Sequence, residues 1–294
     1  IEEKQALADR IWQLPRVISA RDGRNFIIDE NGHYWRALSL ITGASSHERV
    51  LSADHAHEAG CVLGHFQSLI ADFPIAQLED TLPGFHITPG YLQLYDRTVA
   101  KVEARRKLDA SGEARRIDHF IQDRRDFAHV LERARERGEL VLRPIHGDPK
   151  ISNIMIDDHT GQGIAIIDLD TVKPGLIHYD FGDCVRSVCN PAGEEVRDLD
   201  AVDIDIDYFK ALVSGYLKST RELLSDADRH YLYDAVRLIA FELGLRFFTD
   251  YLLGDVYFKT TYPEQNLNRA RVQLRLCESI ETSERMMRNV LEEI

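Results

Sequence analysis

The chain has 294 residues, 44% of them hydrophobic and 29% charged, the balance of an ordinary globular protein and enough for one large domain or two lobes. Its 36 Lys and Arg against 49 Asp and Glu leave a net charge of −13, which argues against broad binding to nucleic acid or an anionic membrane, since both need a basic face. No apolar run approaches bilayer-crossing length, and Ile1-Glu2-Glu3-Lys4 lacks the basic-then-apolar pattern of a signal peptide, so a cytoplasmic protein is expected; the missing initiator Met suggests a trimmed chain.

The first dozen residues, through Ile11-Trp12, read as a short helix ended near Pro15. Asn25 to Asp29 and Tyr34 to Leu40 flank Asn31-Gly32, the pair favoured in two-residue turns with positive φ, and predict a β-hairpin. Gly43-Ala44-Ser45-Ser46 reads as loop. Ala59, Val62, Leu63, Phe66, Leu69, Ile70 and Phe73 recur at helical spacing until Pro74. Pro83-Gly84 and Pro89-Gly90 mark a surface loop, and Tyr91 to Leu108 and Ile117 to Arg137 read as helices with solvated arginines outside. Beyond Gly138 the period changes. Leu140-Val141-Leu142 and Ile164-Ala165-Ile166-Ile167 are short apolar runs bounded by turns, hence strands. After Asp180 the pattern is helical again, with long helices at Tyr208–Leu217, Tyr231–Leu253 and Leu267–Leu291.

The four cysteines form no Cys-x-x-Cys pair and read as buried reduced thiols. His55-Ala56-His57-Glu58 lacks a second His at the zinc spacing, since position 61 is Cys, and reads as a solvated helix start. The ladder Asp203-Ile204-Asp205-Ile206-Asp207 has Tyr208 and Ser214 where a calcium loop needs Gly and Glu, so calcium is rejected.

The densest chemistry runs from Ile145-His146-Gly147-Asp148-Pro149-Lys150-Ile151-Ser152-Asn153, through a turn at 157–163, to Asp168-Leu169-Asp170. Two apolar strands deliver Asp148, Asn153 and Asp168 to one end of a small sheet. Such oxygen donors suit Mg²⁺. Phosphoryl transfer from ATP needs this set: one Asp to accept a hydroxyl proton, and an Asn and a second Asp to hold Mg²⁺ on the phosphates. Either residue type alone is a common strand cap; the ordered set between two strands is less easily explained so.

His146-Gly147-Asp148 with Asn153 and then Ile167-Asp168 resembles the catalytic and metal-binding segments of the aminoglycoside phosphotransferase and choline kinase superfamily. Asp168 to Val172, Pro174-Gly175-Leu176, Tyr179-Asp180-Phe181-Gly182-Asp183, Gly244-Leu245-Arg246-Phe247, Thr249 to Leu252, Gly254 to Lys259, and Asn266-Leu267 through Arg269, Arg271 and Gln273 look like its N-acetylhexosamine 1-kinase branch. So does the hairpin from Asp22-Gly23 to Tyr34-Trp35-Arg36. The resemblance covers nearly the whole chain from Asp22 onward.

It implies an α+β, protein-kinase-like two-lobed fold. Residues 1–43 would be the remainder of a truncated β N-lobe with a hinge near Leu40 and Ile41. Residues 44–294 would be a helical C-lobe with the catalytic strand–loop–strand at 140–171. It implies an ATP- and Mg²⁺-dependent kinase acting on a small-molecule sugar at its anomeric C1 hydroxyl, with Asp148 as base and sugar contact, Asn153 and Asp168 as metal ligands, and Arg246 and Tyr257 as sugar contacts. Asp180 and Asp183 read equally as helix caps, with His146 as partner. Arg246, between Glu242 and Asp250, would without the resemblance be a helix salt bridge.

A kinase of this fold also needs a phosphate loop and a strand Lys. Gly161-Gln162-Gly163 is the sole Gly-x-Gly, in the turn between the catalytic strands, and no lysine-bearing strand is found upstream. The expectation is weak turnover without that segment. Two alternatives remain: a kinase of another hydroxyl, of the choline, aminoglycoside or homoserine type, and a non-catalytic sugar- or nucleotide-binding pseudokinase. The oligomeric state is left open.

Overall fold

A computed structural model describes residues 10–293. The strands are β1 (Val17–Ile18), β2 (Ile27–Ile28), β3 (Tyr34–Trp35), β4 (Ala37–Leu38), β5 (Ala44–Ser45), β6 (Arg143–Ile145), β7 (Ile154–Asp157), β8 (Gly163–Ile166) and β9 (Lys173–Gly175). The helices are α1 (Ala53–Ile70), α2 (Thr88–Val99), α3 (Val102–Ala110), α4 (Gly112–Asp123), α5 (Val130–Glu136), α6 (Ile177–Val188), α7 (Ile206–Thr220), α8 (Asp226–His230), α9 (Leu232–Leu253), α10 (Gln265–Thr282) and α11 (Glu284–Glu292). Small antiparallel sheets precede and interrupt a mostly helical mass, the small-lobe and helical-lobe layout of a kinase-like fold.

The hairpin forms and β2 pairs with β3, but its turn has three residues, Glu30-Asn31-Gly32, rather than two: the Asp29 N–H donates to the His33 carbonyl, and of the three only Gly32, at φ +83°, is left-handed. β1 pairs with β4 outside it, and the side chains of this ribbon are largely exposed. In α1, Ser52 caps the first turn by accepting from the His55 N–H, and Ala59, Val62, Leu63, Phe66 and Leu69 are buried as their spacing requires. Phe73 lies beyond the helix end and is exposed. Gly60, Gly64 and Gly215 let α1 and α7 meet backbone to backbone: a Cβ on Gly60 would sit 2.0 Å from the Leu212 carbonyl oxygen. α9, buried on nearly every side, packs against α2, α6 and α10 and forms the axis of the core.

Several expected elements differ. The N-terminal helix falls mainly on residues 1–9, outside the described residues, and 11–15 are not helical; the Gln13 N–H donates to the Ile164 carbonyl instead. Gly43-Ala44-Ser45-Ser46 is not a plain loop, because Ala44 and Ser45 pair with Asp157 and Ile156 across the chain. The strand expected at Leu140-Val141-Leu142 lies three residues later, as β6, and pairs with β9 around Pro144 and Pro174. The expected 91–108 helix breaks into α2 and α3 at Lys101, which is extended. The 117–137 helix is α4 and α5, separated by a turn, and the Ser111 hydroxyl caps α4 from outside. The last helix divides at Ser283.

All four cysteines are buried and unpaired. His57, Glu58 and Cys61 bring ligand atoms within 4.8 Å of one another. Arg10 occupies Glu58, however, and Lys218 lies 2.9 Å from the His57 Nε2, and these two cations oppose a metal ion there. The start of α1 is not simply solvated, since His55 is buried. Among the described residues no helix is long and apolar enough to cross a membrane.

Candidate active site

The strand β6 ends at Ile145, and the chain turns sharply through His146-Gly147-Asp148. Gly147 takes φ +91°, and a Cβ there would sit 2.7 Å from the Thr171 carbonyl oxygen, so conformation and space both require glycine. The turn is held from beneath by Asp180 on α6. Its carboxylate accepts from the His146 N–H and the Gly147 N–H, each at 2.8 Å, and from the Gln67 amide at 3.2 Å. Asp180 is therefore no helix cap, although its link to His146 is real. Burial pushes its pKa up, against the pull of His146 and these N–H donors.

The buried His146 joins the two strand ends. Its Nδ1 accepts from the Asp148 N–H at 3.2 Å, and its Nε2 donates to the Ile167 carbonyl at 3.0 Å. Beyond the loop, Asn153 donates from Nδ2 to the Asp148 carbonyl (2.7 Å) and carboxylate (3.3 Å), which turns its amide oxygen outward. The Ile167 N–H donates to the Asn153 carbonyl at 2.8 Å, so Asp168 follows directly beside Asn153. Asp168 is exposed and takes φ +65°, a left-handed conformation that Asp adopts more readily than most residues other than glycine. The structure thus brings Asp148, Asn153 and Asp168 to one sheet end. The open amide oxygen and a carboxylate without a hydrogen bond among the described residues form a hard-oxygen donor set that fits Mg²⁺.

Two further charged side chains stand near Asp148. Lys150 Nζ lies 2.7 Å from the Asp148 carboxylate, which holds the ammonium's pKa up despite burial. Asp183 is fixed by the Arg186 guanidinium at 2.7 and 2.9 Å through one oxygen, and the other oxygen is buried without a partner. Burial, and then the Asp183 charge, raise the Asp148 pKa in spite of Lys150. Burial would raise Asp183 as well, but Arg186 and His86 hold it below its ordinary value. Neither Asp183 nor Asp180 serves as a cap.

Arg246 and Tyr257 line one cavity of about 470 Å³, with Phe85, Tyr91, Val256 and Phe258 among its walls. Asp148 is not among the lining residues; His86 connects the two places. Its imidazole lies 2.8 Å from the Gly147 carbonyl and 3.0 Å from the Glu242 carboxylate, one turn before Arg246. Thr81, on the same wall, donates to the Asp170 carbonyl at 3.0 Å. The segment from Pro83 to Pro89 is therefore more than a surface loop, since His86 and Thr88 are buried in it. The salt-bridge reading of Arg246 is only partly met: Glu242 is 4.0 Å away and taken by His86 and Thr88. Asp250 turns instead to the Val256, Tyr257 and Phe258 N–H groups at 2.9–3.0 Å, and so sets the loop carrying Tyr257. At the expected hinge, Ile41 is buried against Met155 and Ala165, while Leu40 is 85% exposed.

Small sheets leading into a helical lobe, with an Asp and an Asn delivered between them, define a protein-kinase-like fold. The model of the phosphotransferase enzyme family matches residues 2–207, and the chain belongs to that family. Its fold is similar to that of a microcompartment-associated aminopropanol kinase (18% identity, TM-score 0.54, 98% of this chain and 81% of that one). It is similar to a Plasmodium vivax ethanolamine kinase (15%, 0.54, 88% and 68%) and to an amicoumacin kinase in complex with AMP-PNP and Ca²⁺ (13%, 0.56, 92% and 73%).

Proposed function

We propose that the chain is an ATP- and Mg²⁺-dependent kinase that phosphorylates the anomeric hydroxyl of an N-acetylhexosamine, N-acetylglucosamine or N-acetylgalactosamine. The observation that carries this reading is the connection of two half-sites by one residue: His86 ties the Asp148 loop to the helix bearing Arg246. The cavity joins aromatic walls, suited to the apolar face of a sugar ring, to the guanidinium and phenol of Arg246 and Tyr257, suited to its oxygens. The Arg246–Tyr257 pairing in the motifs that resemble the 1-kinase branch supplies the choice of acceptor.

Asp148 accepts the acceptor's hydroxyl proton as the oxygen–phosphorus bond forms and the bond to the departing ADP breaks. Its raised pKa makes it a better base than an exposed aspartate, while Asn153 fixes its rotamer through the 3.3 Å contact. The Asn153 amide oxygen and Asp168 would hold Mg²⁺, which supplies charge neutralisation on the phosphates. Lys150 adds a positive charge at the base itself, with 39% of its side chain exposed. The small-lobe portion runs to residue 43 in this reading, with the adenine edge near Leu40 and Ile41.

ADP release measured over a panel of sugars and amino alcohols tests the assignment. Turnover on N-acetylhexosamines is expected. Turnover confined to choline, ethanolamine or aminoglycosides would remove the substrate claim while leaving the kinase, and ADP or sugar binding without turnover on any acceptor would favour a pseudokinase.

A further inference from the structure

Three rings surround the Arg246 guanidinium. Its central carbon lies 5.0 Å from the centroid of Phe85, 4.9 Å from Tyr91 and 5.4 Å from Phe258, and all three rings line the cavity. Arg246 itself is only 11% exposed. The Glu242 carboxylate stands behind it at 4.0 Å. Ring faces gathered within about 6 Å of a cation, with a carboxylate behind, are the chemistry by which proteins hold quaternary ammonium ligands. Here the chain's own cation fills the seat.

We propose that Arg246 is a resident cation that closes an aromatic cage, so that the cavity turns away ammonium-bearing acceptors and admits neutral or anionic ones. The inference rests on the reading of this cavity as the acceptor pocket. The guanidinium is planar, and with its carbon held among the rings its N–H groups remain available as donors. A hydroxyl or acetamide oxygen accepts from them without penalty. A trimethylammonium head offers no acceptor, meets like charge, and finds the ring faces occupied. Specificity would thus come from a repulsive element built into the wall as well as from attractive contacts.

Calorimetric titration of tetramethylammonium and choline, without ATP or sugar, into the wild type and into Arg246→Ala, Arg246→Gln and Arg246→Lys tests this. The wild type and Arg246→Lys should bind weakly, and Arg246→Ala should bind about tenfold or more tighter than either, as vacated ring faces take up the ligand. Arg246→Gln, which keeps most of the stem, carries the test if the alanine variant does not fold. A wild type that binds tetramethylammonium as tightly as the neutral variants overturns the proposal. So does a folded neutral variant with no gain, or an equal gain in Arg246→Lys. Because neither sugar nor nucleotide is present, failure of the N-acetylhexosamine assignment in the turnover panel leaves this readout unaffected.

Discussion

The His86 imidazole lies between the Glu242 carboxylate, 3.0 Å away, and the Gly147 carbonyl, 2.8 Å away, and so fixes the His146-Gly147-Asp148 turn to the helix that carries Arg246 into the wall of the cavity. Both partners are acceptors, so the ring satisfies them together only when both nitrogens carry protons. Burial opposes that charge, but the Glu242 carboxylate outweighs it and holds the His86 pKa above its ordinary value.

The sign of the resulting pH dependence follows. A folded-state pKa above the unfolded one gives stabilisation that is complete below about 6.5 and is lost as pH rises through the folded value. His86→Gln is expected to lose about 3–5 kcal/mol of unfolding free energy at pH 6, the usual cost of leaving one partner of a buried ion pair alone. The loss should shrink at alkaline pH. Urea unfolding of both proteins at pH 6 and pH 9 checks it, and an equal loss at the two pH values would show that His86 acts only by filling space.

Asp148 separates chemistry from folding. Asp148→Asn removes the proposed base and with it about 10²–10⁴ in kcat. It also removes a charge that burial and Asp183 disfavour, so the melting temperature should not fall. Measured together, a wild-type rate would discard the base assignment, and a large drop in melting temperature would assign Asp148 a structural role through Lys150.

Asp180 should behave in the opposite way. Its two oxygens satisfy the His146 and Gly147 N–H groups, both in a buried turn. Asp180→Ala orphans them at about 1–3 kcal/mol each, so a destabilisation of about 2–6 kcal/mol is expected. Hydrogen exchange at residues 146–148 should accelerate more than exchange in the distant α9. Uniform acceleration across the molecule would mean that the turn is held by other contacts.

The contrast between these residues shows what a sequence can carry. Asp148, Asn153 and Asp168 are readable because they sit within one short segment between two apolar runs, where spacing alone places them at the same sheet end. Lys150 was equally within reach, two positions from Asp148, and only its 2.7 Å contact gives it weight. His86 was not readable. It lies in a segment dense in Pro and Gly, and its partners are 61 and 156 residues away. Asp250 looked like a helix-face charge because the loop it organises folds back from beyond the helix end. The two-residue β5 pairs with a strand more than a hundred positions later, and nothing local in Gly43-Ala44-Ser45-Ser46 signals it. The breaks at Lys101 and Ser283 fall inside otherwise periodic stretches, where tertiary packing overrides propensity.

The buried His178 supplies an acid-side counterpart to His86. Its Nε2 donates to the Asp228 carbonyl at 2.9 Å, and its Nδ1 is buried without a partner. Burial therefore drives its pKa down to about 4, only partly countered by Asp228. In the unfolded chain the group titrates near 6.5, so between pH 6.5 and pH 4 the unfolded state binds the extra proton and stability falls as pH falls. A gap of about 2.5 units at about 1.4 kcal/mol each corresponds to ~3.5 kcal/mol over the whole window. His178→Gln, which can keep the bond to Asp228 and cannot titrate, should lose that part of the slope while the rest of the profile, including the opposing His86 contribution, is retained. Unfolding free energies at half-unit steps from pH 7.5 to pH 4.5 measure the difference. Curves for the two proteins that run parallel through the window would mean that His178 takes up its proton in the folded state as easily as in the unfolded one.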